Sequence, residues 1–87
     1  MRVTVISPES AVFDGEAESV VAPAFDGELG ILANHAPLMT VLGSGVLRVK
    51  SGGITRKFQV RGGFLQVIKN SVRVLAEHVQ ADPGTAK

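Results

Sequence analysis

The chain has no cysteine, no tryptophan and no tyrosine, and its only aromatics are Phe13, Phe25, Phe58 and Phe64. Without cysteine, neither a disulfide framework nor a thiolate metal site is available, which fits a reducing compartment. Few aromatics argue against a sugar-binding surface. They also argue against the stacking platforms on which single-strand nucleic-acid binders hold bases. No apolar run approaches the ~20 residues of a membrane span, so no direct membrane insertion is expected. The start, Met1-Arg2-Val3-Thr4, lacks the apolar stretch of a signal peptide. No segment sustains a helical period. Catalytic motifs are missing too. Gly43-Ser44-Gly45 is not the G-x-S-x-G of a nucleophile elbow. No phosphate-binding P-loop occurs, and His35 and His78 lie far apart in the chain.

What is present is period-two alternation over 87 residues, a length that favours one domain. A chain of this size buries roughly 60–65% of its unfolded surface, enough for a modest core. Val3 and Val5 alternate with Arg2 and Thr4, Leu47 and Val49 with Arg48 and Lys50, and Phe58 and Val60 with Lys57, Gln59 and Arg61. Half-buried strands of an antiparallel sheet read this way. Turn signals recur at short intervals: Ser7-Pro8, Asp14-Gly15, Asp26-Gly27, Ser51-Gly52-Gly53, Lys69-Asn70. Strands are expected near 2–7, 11–18, 19–24, 28–32, 37–42, 45–50, 55–61, 63–68 and 71–76, with a short last one at 78–80. Gly62-Gly63 marks a bend between two of them. The fold class is therefore all-β, an antiparallel sandwich without significant helix. Val3, Val5, Val49, Phe58, Val60, Val67, Val72 and Val74 are the expected core, and Phe64 joins Phe58 there by the same alternation. Residues 1–80 form the domain, and 81–87 read as a polar, disordered tail.

Net charge is only +1, yet its distribution is uneven. Six of the eight acids are Glu9, Asp14, Glu16, Glu18, Asp26 and Glu28, whereas Arg48, Lys50, Arg56, Lys57, Arg61, Lys69 and Arg73 follow with no acid among them. Two faces meeting partners of opposite charge would produce this pattern, and so would solvated outward positions. Asp14, Glu16 and Glu18 suit a charged edge that discourages sheet-to-sheet pairing. No nucleic-acid partner is expected from so small a net charge.

The most unusual stretch is residues 25–42, FDGELGILANHAPLMTVL. Gly27 and Asn34 tolerate the positive φ of tight turns. Gly30 inside an apolar run suggests a bulge or a close backbone approach. Pro37 should begin a strand rather than continue one. Asp26, Glu28 and His35 are one combination that would make a two-carboxylate, one-histidine metal site. The simpler reading has Asp26 capping a turn, Glu28 pointing outward and His35 bonded within its loop. On that reading no metal, cofactor or catalytic residue is expected.

The same stretch resembles the epsilon subunit of rotary F-type ATP synthases, whose mitochondrial counterpart is called delta. The resemblance rests on DGELGIL followed by HAPLMTVL. It extends to Val5-Ile6-Ser7-Pro8-Glu9 with Val12-Phe13-Asp14-Gly15-Glu16-Ala17, to Phe58-Gln59-Val60-Arg61-Gly62-Gly63-Phe64-Leu65-Gln66-Val67, and to VRVLA at 72–76. It covers residues 2–80. Ala33-Asn34 departs from the family's frequent Pro-Gly, a turn that Asn34 also permits.

The resemblance implies a sandwich of two roughly five-stranded sheets. It implies a non-catalytic rotor subunit at the foot of the central stalk, packed on the gamma subunit and against the ring of c subunits. A single copy per complex would couple ion flow to ATP synthesis. Matched residue by residue, Asp26, Gly27 and Glu28 face the c ring, while His35, Ser7 and Met39 face gamma; Leu38 is expected in the core. The implied location is peripheral, on the cytoplasmic side of a bacterial inner membrane, or on the matrix or stromal side in an organelle. In the family a two-helix hairpin commonly follows the sandwich, can restrain ATP hydrolysis and in some members binds ATP. Here eleven residues follow Ala76, with Pro83 and Gly84 among them. The expectation is a naturally short subunit without the inhibitory arm, with a piece cut from a longer chain as the alternative. From the residues alone, an independent small ligand-binding sandwich is the competing reading.

Overall fold

The computed structural model describes residues 1–81. The strands are β1 Arg2–Ile6, β2 Ala11–Glu16, β3 Ser19–Ala24, β4 Gly27–Leu32, β5 Leu38–Val41, β6 Ser44–Ser51, β7 Ile54–Ile68 and β8 Ser71–Ala81. The described residues contain no helix. Ten expected strands become eight because 55–61 joins 63–68 as β7, and 71–76 joins 78–80 as β8.

These two long strands bend together. Gly62 and Gly63 sit at φ 73° and 115°, values that cost glycine little and other residues much. The β7–β8 register runs from Phe58↔Ala81 to Arg61↔His78 and resumes at Gly63↔Ala76, passing over Gly62. Before the bend β7 pairs with β6, and after it with β5. The first half of β8 pairs with β1. One five-stranded layer is therefore β2-β1-β8-β7-β5 and the other is β4-β3-β6-β7-β8, with β7 and β8 contributing a half to each. All pairs are antiparallel except β1–β8, which is parallel.

The bend also changes the phase of alternation. In β7 the even positions Phe58 and Val60 point inward before it, and the odd positions Leu65 and Val67 after it. All eight expected core residues are buried, joined by Val20, Ile31, Leu42, Leu47, Leu65 and others. Each fully buried Val or Leu contributes roughly 1.5–3 kcal/mol relative to exposure. Phe64 is not in the core, being 52% exposed. Alternation carried through the bend from Phe58 points it inward, and the phase change turns it out. Among the described residues, no buried side-chain nitrogen or oxygen lacks a partner.

Other boundaries moved for local reasons. β2 stops at Glu16 because Ala17 and Glu18 turn away, donating to the carbonyls of Met1 at 2.8 Å and Lys50 at 2.7 Å. The N-terminal ammonium closes this corner, donating to the Ala17 carbonyl at 3.1 Å. Gly30 makes no bulge, since β3–β4 pairing is regular from Ser19↔Leu32 to Ala24↔Gly27, and no atom would lie within 4 Å of a Cβ there. Ala81 ends β8 rather than opening a tail. The rest of the expected tail, 82–87, lies outside the described residues.

Candidate functional site

The stretch 25–42 links the two layers and places its two polar turns, at 25–28 and 33–37, at opposite ends of β4. Phe25 and Asp26 form the turn of the β3–β4 hairpin, closed by Gly27 at φ 129°. Phe25, Asp26, Gly27 and Glu28 are all exposed, Phe25 at 73%. The strand end that leads into this turn is braced. Ala24 bridges to Leu42, and the Gly43 N–H donates to the Pro23 carbonyl at 2.8 Å. The chain comes so close that a Cβ on Gly43 would lie 2.9 Å from the Ala24 carbonyl oxygen. Glu28 accepts from Arg48 of β6 at 3.1 Å, over the outer side of β3.

His35 lies at the other end, in the loop between β4 and β5. Asn34, at φ 66°, donates its N–H to the Asn70 side-chain oxygen at 2.8 Å, which ties this loop to the β7–β8 turn. The His35 ring donates from Nδ1 to the Ala36 carbonyl at 2.7 Å. Asp26, Glu28 and His35 therefore do not come together, and the metal combination weighed from sequence has no geometric basis. Among the described residues no group of three or more metal-ligating side chains forms.

Ser7 sits at the end of β1 and is 9% exposed. Its hydroxyl donates to the Ser10 carbonyl at 3.1 Å and accepts from the Ser10 N–H at 3.3 Å. It fixes the β1–β2 turn and presents its neighbours rather than itself. Met39 lies on β5, exposed on the outer face of the first layer. Leu38 beside it is half-buried and packs on the core, as expected.

That outer face carries a feature that sequence reasoning missed. Cross-strand register places Ile6, Leu75, Phe64 and Val41 side by side in one row over β1, β8, β7 and β5. Leu75, Phe64 and Val41 are exposed, and Ile6 is half-buried. Met39 and Ile68 extend the apolar surface toward the His35 loop. Ser7 lies at one end of the face, Met39 across it and His35 beyond. The signal in the sequence was an apolar residue at 64 and at 75, positions that become outward once the glycine bend resets the phase.

Charge does not segregate as simply as the sequence pattern implied. Arg48, Lys50, Lys57 and Arg61 lie on the outer face of the second layer, where Arg61 pairs with His78. Arg56 instead covers the Phe13 ring at 5.8 Å, and Arg73 belongs to the first layer. Asp14 of the edge strand β2 accepts from Arg2 at 2.9 Å, and Glu16 lies 3.4 Å from the N-terminal ammonium. A concavity of about 700 Å³ opens beside the bend between Glu9, Arg61, Glu77 and His78. Its charged groups stand at the surface, a poor arrangement for enclosing a small ligand.

Comparison with known proteins agrees with this architecture. An "ATP synthase epsilon chain" of Leptospira borgpetersenii is 45% identical over 78 residues, covering 90% of this chain and 61% of that protein. The epsilon chain of Caulobacter vibrioides is 42% identical over 78 residues, with 90% and 91% covered. A cryo-EM structure of the Euglena gracilis mitochondrial ATP synthase, with OSCP, F1 and c-ring in rotational state 1, contains a chain of the same fold. It superposes with a TM-score of 0.85 at 23% identity, over 91% of this chain and 51% of that one. The chain spans about three-fifths of the length of most curated relatives it matches, 61% for the Leptospira protein. The family model for the β-sandwich domain of the ATP synthase delta/epsilon chain matches residues 1–82, so that sandwich, bent at two glycines, belongs to the ATP synthase delta/epsilon family.

Proposed function

We propose that this domain is a non-catalytic rotor element of an F-type ATP synthase, seated on the gamma subunit and touching the c ring. A single copy turns with them and helps couple ion flow to ATP synthesis, on the peripheral, cytoplasm- or matrix-facing side of the membrane. The observation that carries the reading is the exposed row Ile6, Leu75, Phe64 and Val41, which starts beside Ser7 and crosses to β5, the strand that leads back through Met39 to the His35 loop. A monomer gains nothing by exposing such a row, whereas a protein interface buries it. In this reading gamma covers that face, with Met39 and the His35 loop at its margin and Ser7 holding the opposite margin in shape. The hairpin tip of Asp26, Gly27 and Glu28 lies at the far end of β4 from the His35 loop and is exposed to meet the c-ring loops. The family membership and the presence of this fold in an assembly containing F1 and a c ring support the assignment.

Co-purification tests it. Tagged protein should retain gamma from a lysate of its own organism, and should retain c subunits when the membrane complex is extracted intact. Recovery of neither would contradict the proposal.

A further inference from the structure

The β3–β4 turn carries Phe25, the most exposed large apolar side chain among the described residues at 73%. Isolated exposed apolar residues are common on surfaces, but this one stands on a stiff support. The hairpin below it is clamped by the Ala24–Leu42 bridge and the bond from Gly43 to Pro23, a fit that only glycine permits at 43. An aromatic side chain has few torsions to freeze, so a braced one suits an interface anchor. The clamp runs into β5, the strand that carries Met39 and Val41 on the gamma-facing surface. The tip and that surface are thereby parts of one rigid frame.

We propose that Phe25 is the apolar anchor of the c-ring contact, inserted between c-subunit loops while Asp26 and Glu28 meet the groups around it. The inference rests on the reading of residues 26–28 as the c-ring contact. The chemistry it requires is an apolar notch of aromatic size, bordered by basic groups or hydrogen-bond donors. Asp26 supplies an acid for that border, since among the described residues no ion pair reaches it. The same acids argue against insertion into lipid, because an anionic bilayer surface repels Asp26 and Glu28.

The test uses the chain bound to gamma, titrated onto purified c ring in nanodiscs, with empty nanodiscs of zwitterionic and of anionic lipid alongside. Phe25→Ser should weaken c-ring binding by about tenfold or more, Phe25→Leu should recover most of it, and gamma binding should be unchanged in both. Undiminished c-ring binding by Phe25→Ser, with a loss in Glu28→Lys, overturns the anchor and leaves the c-ring contact standing. Wild-type binding to empty nanodiscs as strong as to the c ring overturns the choice of partner. A wild-type complex that does not bind the c ring overturns both the anchor and the contact beneath it.

Discussion

Arg48 of β6 reaches over β3 to donate to Glu28 of β4, with 3.1 Å between Nη1 and Oε2. The pair spans three neighbouring strands of the second layer, in the order β6-β3-β4. Both side chains are largely exposed, so the link is worth only about 0.2–1 kcal/mol. Glu28→Lys should therefore move the melting temperature slightly while weakening c-ring contact and changing its salt dependence. The exchange Glu28→Arg with Arg48→Glu should restore the pair and the stability, but not the contact. Thermal melts and a salt series of binding check both; normal coupling by Glu28→Lys at low and high salt would remove Glu28 from the interface.

Phe58 is the strongest packing test. It is 6% exposed and meets Phe13 edge-on, with ring centroids 6.3 Å apart. Phe58→Ala should cost about 3–5 kcal/mol, read from denaturant unfolding of the isolated chain. The far-UV dichroism of the wild type should be of β type.

The bend gives a contrast between glycines. A Cβ on Gly63, at φ 115°, would overlap the Leu75 carbonyl. Gly63→Ala should cost more than about 2 kcal/mol, because the backbone itself must move. Gly30 has open space around it and no positive φ. Gly30→Ala should be neutral or stabilising by up to about 1 kcal/mol. Equal losses in the two variants would mean that the bend is not what Gly63 supports.

Much of this was legible in residue patterns. Alternation located all eight expected core residues, because a two-layer sandwich buries one side of each strand. The glycine pair announced the bend. What could not be read was that each long strand serves both layers, because pairing partners are set by register rather than by local pattern. Continuing the alternation across Gly62-Gly63 therefore put Phe64 inside when it is outside. For the same reason the apolar row went unseen, since its members come from four separate segments. The metal combination failed because sequence proximity of Asp26, Glu28 and His35 hides the length of β4 between them.

ATP hydrolysis offers another check. The described residues contain no helix that could reach toward catalytic subunits. These 87 residues, added to their own gamma-containing catalytic complex, should bind without slowing hydrolysis. Millimolar ATP should leave the melting temperature of the isolated chain unchanged. Clear inhibition, or stabilisation by ATP, would place a regulatory function in the sandwich itself.

The most direct measurement is a calorimetric titration of purified gamma with the chain and three variants. Phe64→Ser and Leu75→Ser sit in the apolar row, and Lys50→Ala lies on the outer face of the other layer. The account predicts a one-to-one complex, weakened about tenfold or more by each row variant and unaffected by Lys50→Ala, with all variants folded by dichroism. A complex that loses affinity with Lys50→Ala and keeps it with Phe64→Ser and Leu75→Ser, or no complex at all, would contradict the claim that the first layer's outer face is the seat on gamma.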